Sequence, residues 1–241
     1  MKDSKKLWIS IERESGVKPL TIGKHTSYSL VHDPIRLSFV TARYKFCARL
    51  LSGMDRVLEI GCGDGFGSTI VAKEVGKLIC TDINEPMLED AKEQLFFLDN
   101  TFFEYHDFRQ SPYPESVDAI FLVDTLEHIY AEEEKAFMEN ICKSLGKNGT
   151  CIIGTPNKTA EKYASEGSKK GHVNLKDFES LKALTATYFH NTFHFGMNDE
   201  MIHTGFPPMT HYRWSLSTSP KIFAGQEGQL SSDPEINTII E

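Results

Sequence analysis

The stretch Glu59-Ile60-Gly61-Cys62-Gly63-Asp64-Gly65-Phe66-Gly67 follows the apolar pair Val57-Leu58 and precedes a helix-compatible segment from Ser68 to Glu74, which places a glycine turn where a strand meets a helix. Glycine allows a tight turn and lets a ligand approach bare backbone, and the amides at the helix start favour an oxygen-rich group. A dinucleotide fingerprint asks for glycine at its first, third and sixth positions. Counting from Gly61 puts Phe66 at the sixth, which counts against NAD. No Gly-Lys-Ser/Thr closes the segment, so a phosphate loop for nucleotide hydrolysis is excluded. The expectation is a nucleotide-like cofactor held against backbone.

Working outward, Lys77 to Thr81 reads as the next strand and ends at Asp82, an acid able to accept both ribose hydroxyls from the carboxyl edge of a sheet; a plain helix cap is the alternative role. Strands over 57–60, 78–82, 101–105, 117–123 and 150–153 alternate with helices over 68–74, 86–95 and 132–145, the rhythm of a parallel sheet with covering helices. A proline-started helix runs from Pro34 to Gly53. Phe193 with Phe195, and Tyr212-Trp214-Leu216, suit two later strands, while Asn174 is the expected cap of a helix from Leu175. Residues 1–31 read as a short strand pair or loose arm. In such a sheet the ends of the first four strands converge, bringing Gly61, Asp82, Asp107 and Asp124 together.

The Glu59–Gly67 segment resembles the first motif of class I S-adenosylmethionine-dependent methyltransferases, with Asp82 matching the ribose acid of that family. His106-Asp107-Phe108 and Asp124-Thr125-Leu126-Glu127-His128 look like two further family stretches, and the resemblance spans roughly residues 56–155. It implies a Rossmann-like α/β fold with a seven-stranded, mostly parallel sheet, an antiparallel edge and helices on both faces. It also implies S-adenosyl-L-methionine as cofactor, with Glu59, Gly61, Gly63, Gly65, Asp82, Ile83, Asp107, Phe108 and Asp124 on its side. Asp107 would accept from the adenine amino group, Phe108 would pack along the ring, and Glu59 would orient either the glycine loop or the cofactor's amino group.

The 241 residues fit an N-terminal arm and cap helix (1–54), a catalytic domain (55–225) with a polar lid-like loop (156–174), and a polar tail (226–241). Apolar residues make up 40% and charged residues 25%, the balance of a soluble globule, and the net charge of −8 argues against a nucleic-acid groove. Five cysteines, an odd set with several in apolar patterns, argue against a disulfide scaffold, and no apolar run is long enough to cross a bilayer. A cytoplasmic monomer or homodimer without membrane contact is the expectation.

Methyl transfer to a hydroxyl gains from a base near neutral pKa, which points to histidine. His128, His172, His203 and His211 are the candidate catalytic residues, with His194 in the same region. His128 ranks first because it follows the fourth strand; His172 ends the polar loop; His203 and His211 flank the crossing Thr204–Met209, read as an acceptor-pocket wall. Asp124, Glu127 and the histidines also offer metal-ligand atoms, but spacing alone is weak and no metal site is assigned. Lys158, Lys162, Lys169, Lys170 and Arg213 matter if the small-molecule acceptor is phosphorylated or nucleotide-linked. The segment from Phe195 to Tyr212 is similar in style to enzymes of bacterial surface-polysaccharide pathways, which implies a sugar, nucleotide sugar or phosphoramidate precursor as acceptor. O-methyl transfer leads. The alternatives are N-methyl transfer to a small metabolite, a non-catalytic S-adenosylmethionine-binding regulator and, more distantly, a NAD-dependent oxidoreductase.

Overall fold

The computed structural model describes residues 3–16, 19–205 and 207–225. One eight-stranded sheet, β1 (Arg56–Ile60), β2 (Lys77–Asp82), β3 (Thr101–Tyr105), β4 (Val117–Val123), β5 (Leu145–Pro156), β6 (Phe189–Asn198), β7 (Met201–His203) and β8 (Tyr212–Pro220), runs in the order β3-β2-β1-β4-β5-β8-β6-β7. The first five are mutually parallel; β8 pairs antiparallel with β5, and β6 with β8. The strand beyond the seven expected is β7, a three-residue hairpin partner of β6. Strand order reverses between β1 and β4, so a crevice opens at their carboxyl ends.

Helices cover both faces because each inner strand is apolar on both sides. Val57, Leu78, Ala119 and Phe121 pack under α3 (Pro34–Leu51), α4 (Ser68–Ala72) and α5 (Glu85–Gln94). Leu58, Ile79, Ile120 and Ile153 pack under α6 (Ala131–Ser144) and α8 (Phe178–Tyr188). All five cysteines are free and buried, four of them in strands or helices of this core. No helix among the described residues is long and apolar enough to cross a membrane.

Three local expectations change. Where a short strand pair or loose arm was expected, the described residues before α3 hold two helices: α1 (Ser4–Ser15), capped by Asp3 and ended at left-handed Gly16, and α2 (Lys24–His32). Leu7, Trp8 and Ile11 fall three and four apart on one face of α1, yet nothing in this helix is buried. The 156–174 segment is not plain loop; it contains a 3-10 stretch (Lys158–Tyr163) and α7 (Glu166–Gly171), started by the Asn157 and Ser165 side chains. The cap of α8 is Asp177, which forms a reciprocal box with Ser180, whereas Asn174 donates to Glu134. The 226–241 tail and Phe206 of the proposed pocket wall lie outside the described residues.

Candidate active site

A cavity of about 1300 Å³ occupies the crevice, floored by the strand ends and closed by α2, α3 and the segment after β5. Its cofactor-like half is built on the glycine turn. Gly61 has φ +77°, and a Cβ there would stand 2.3 Å from Thr125 Oγ1, so the position requires glycine on two counts. Gly65, at φ +71°, leaves no room for a Cβ against Leu95 and Phe103, and it does not line the cavity. The Gly63 amide donates to Asp82 Oδ2 at 2.9 Å, and the Asn84 amide donates to Oδ1 at 2.9 Å, so the turn and the acid at the end of β2 hold each other in register. Ile83 presents an exposed apolar surface beside them. Asp64 ties the turn to α2, accepting from the Thr26 amide at 2.8 Å and its hydroxyl at 3.1 Å.

Glu59 is fully buried and does not line the cavity. It lies beneath the turn, where Tyr44 Oη donates to Oε1 at 2.7 Å and Ser68 Oγ donates to Oε2 at 2.6 Å, and burial pushes its pKa up to about 7. Of its two expected roles, this geometry leaves loop support. Asp107 lines the cavity with both oxygens engaged by Arg109, through Nε and the terminal nitrogen at 2.9 Å each, and these hydrogen bonds hold its pKa below the usual carboxylate range. Phe108 is 2% exposed and packs edge-on against Phe137, so most of its ring belongs to the core.

The other half sits at the end of β4. Asp124 is held at φ +53°, a sparsely populated conformation for a non-glycine residue. Arg43 of α3 donates to its Oδ2 at 2.6 Å while lying 4.0 Å from the Tyr212 ring centroid. Asp124 Oδ1 is buried with no partner. Glu127 is fully buried; its Oε2 accepts from Thr155 Oγ1 at 3.0 Å, and its Oε1 has no partner. Burial, with Asp124 nearby, pushes Glu127 up to about 8. His128 Nδ1 is 2.8 Å from the Gly171 carbonyl, and its ring centroid is 5.3 Å from that of His172. Burial lowers the pKa of His172, with His128 adding to the effect.

His128, His172 and His211 line the same cavity as Gly61, Gly63, Asp82, Ile83, Asp107, Phe108 and Asp124. His203, on β7, does not, nor do residues 204–205 and 208–209. The lysines of the 156–174 segment also stay outside: Lys169 pairs with Glu166, and Lys162 lies over the Tyr163 ring. Arg213 is buried against the Phe178 ring and bonds Thr210, away from the cavity. The cation that does line it near His172 is Arg36. Sequence reasoning missed Arg36, Arg43, Tyr44 and Thr26, which arrive from helices far along the chain; Arg36, Lys45 and Arg49 share α3 with Arg43, so nothing local singled these residues out.

A family model described as a methyltransferase domain matches residues 51–199. A probable S-adenosylmethionine-dependent methyltransferase of Mycolicibacterium smegmatis is 26% identical over 141 residues, covering 58% of this chain and 52% of the relative. Ubiquinone biosynthesis O-methyltransferase of Rickettsia bellii is 24% identical over 149 residues, covering 58% of each. The match thus spans little more than half the length of these curated relatives. Among solved structures, the methyltransferase domain of bacterial CtHen1-C superposes with a TM-score of 0.62 at 16% identity, over 75% of this chain and 98% of that one. N-methyltransferase NodS from Bradyrhizobium japonicum WM9, in complex with S-adenosyl-L-homocysteine, gives 0.59 at 15% identity, over 88% and 97%. At these identities the likeness is one of fold.

Proposed function

The chain belongs to the methyltransferase domain family, and from that premise we propose that it is an S-adenosyl-L-methionine-dependent methyltransferase acting on a small polar acceptor, with a hydroxyl as the methylated group. The observation that carries this reading is the shared cavity: glycine turn and Asp82 at one end, and three histidines with two underused carboxylates at the other. The residues fit the cofactor. Gly63 leaves a bare backbone wall, Asp82 stands where a ribose would present its hydroxyls, and Ile83 supplies an exposed apolar surface for a base. Asp107 keeps free lone pairs for an amino group beyond those given to Arg109.

When bound, S-adenosyl-L-methionine supplies an electrophilic methyl on a sulfonium that leaves as a neutral thioether. The work of the chain is to align and desolvate. Helices α2 and α3 and the 3-10 stretch exclude water, and the carboxyl groups of Asp124 and Glu127 stand near the acceptor end. His128, His172 and His211 are the groups there able to take the hydroxyl proton as the methyl–oxygen bond forms and the methyl–sulfur bond breaks. Arg36 offers a contact for an acceptor bearing phosphate, which keeps sugars, nucleotide sugars and phosphoramidates in the acceptor class.

A second reading, methyl transfer to an amine, is favoured by one observation: the partnerless oxygens of Asp124 and Glu127 would also suit an ammonium group. Purified protein incubated with S-adenosyl-L-methionine and a panel of sugars, nucleotide sugars, phosphoramidates and small amines, followed by mass spectrometry, separates the two. A single added methyl on a hydroxyl acceptor supports the first reading, and one on nitrogen replaces it with the second. Absence of S-adenosylhomocysteine formation with every acceptor counts against both.

A further inference from the structure

We infer that Glu127, His128 and His172 form a binding site for one divalent transition-metal ion at the acceptor end of the cavity. A carboxylate oxygen and two imidazole nitrogens of these residues all lie within 4.8 Å of one another. Donors around a first-row ion sit about 2.0–2.2 Å from it, so neighbouring donors are about 3.0–3.5 Å apart, and side-chain rotations that move the donor atoms by about 1 Å close the set.

The strongest independent observation is Glu127 Oε1. It is fully buried, it has no hydrogen-bond donor, and its residue lines the cavity beside the two histidines. A buried carboxylate oxygen left without a partner is costly, and a cation supplies what the protein does not.

The histidines are arranged for ligation. His128 Nδ1 faces the Gly171 carbonyl at 2.8 Å, an acceptor, so Nδ1 carries the proton and Nε2 is left as the lone-pair nitrogen; this is the outer hydrogen bond that orients metal-binding imidazoles. The two donor segments are stapled together, because the Glu127 carbonyl accepts from the Val173 amide at 2.9 Å and the Asn174 amide at 3.1 Å, directly after His172. Asp124 stands outside the set, with Oδ2 held by Arg43.

One carboxylate and two imidazoles suit ions from Mn²⁺ to Zn²⁺ better than Mg²⁺ or Ca²⁺, which prefer all-oxygen shells. Three protein ligands leave positions open. The acceptor class that fills them presents one or two oxygens, such as vicinal hydroxyls, a hydroxy acid or a phosphoryl group. An ion there lowers the pKa of a bound hydroxyl, whose proton passes to water or His211, and His128 and His172 then act as ligands rather than bases. This role rests on the methyltransferase reading; the binding itself does not.

The test is titration of chelator-treated, full-length protein with Co²⁺, followed by visible absorption, with S-adenosylhomocysteine affinity measured in parallel. The expected result is one saturable site per chain, weakened at least about tenfold by His128→Ala and by His172→Ala, with cofactor-product affinity retained. His190→Ala, at an exposed position on β6, should leave the absorption unchanged. Circular dichroism shows which variants fold, and because His172 is partly exposed its variant keeps the test decisive even if another fails. No saturable Co²⁺ site in the wild type, or wild-type affinity in both histidine variants, overturns the inference. Co²⁺ binding without S-adenosylhomocysteine binding would leave the metal site standing and remove the methyltransferase reading.

Discussion

The two halves of the cavity treat their polar groups in opposite ways. On the side of the glycine turn, Asp82 accepts from two backbone amides, Asp107 from Arg109, Asp64 from Thr26, and Glu59 from Tyr44 and Ser68. On the β4 side, Asp124 and Glu127 each leave a buried oxygen without a donor, and Asp124 is held at positive φ. The first half is a finished scaffold whose acids stabilise the turn. The second carries unspent electrostatic potential, the usual condition of a site waiting for a ligand.

Substitutions should therefore cost stability on one side and function on the other. The largest effect belongs to Gly61→Ala, which puts a Cβ 2.3 Å from Thr125 Oγ1 at a backbone angle of +77°. A stability loss of about 2–4 kcal/mol is expected in urea unfolding, and a loss near zero would mean that the turn is softer than its packing implies.

Next comes pH. Glu59 has its folded pKa raised to about 7 from an ordinary value of 4.5, so the folded state holds a proton that the unfolded chain releases. Its stabilising contribution is present in full below about pH 4.5 and is lost as pH rises through about 7, an amount of about 3 kcal/mol as an upper bound. Urea midpoints measured from pH 4.5 to 8 should fall more steeply in the wild type than in Glu59→Gln; equal slopes would place the proton elsewhere.

The smallest effect has the opposite sign. Glu127→Gln keeps an oxygen for Thr155 and removes a carboxyl that is costly to ionise in its buried place, so with chelator present and above about pH 8 it should stabilise the fold by about 1 kcal/mol while lowering turnover. Destabilisation, read from thermal melting, would show that the carboxylate is better satisfied than its neighbours suggest.

The same contrast governs what the sequence revealed. The glycine turn, Asp82 and the strand rhythm were legible because their signals are local: a turn needing positive φ, an acid ending an apolar strand, apolar runs of strand length. The acceptor half is assembled from α2, α3, the turn after β4 and the segment after β5, so Arg36, Arg43 and the pairing of Glu127 with His172 had no local signature. His203 was misplaced relative to the cavity for a related reason. The hairpin partner β7 is too short to register as a strand, and its pairing with β6 carries His203 away from the cavity. Helix α1 was missed although Asp3 caps it and Leu7, Trp8 and Ile11 have helical spacing, because Gly16 and Pro19 beyond it suggested a loose arm.

The division of labour is tested most directly by calorimetric titration of S-adenosylhomocysteine into wild type, Asp82→Ala and His172→Ala. The expected result is one site in the wild type, about 100-fold weaker in Asp82→Ala, where hydrogen bonds to a charged group worth about 2–3 kcal/mol are lost, and within about threefold of the wild type in His172→Ala. Absence of binding to the wild type, or equal affinity in Asp82→Ala, would contradict the assignment of the glycine-turn half to the cofactor.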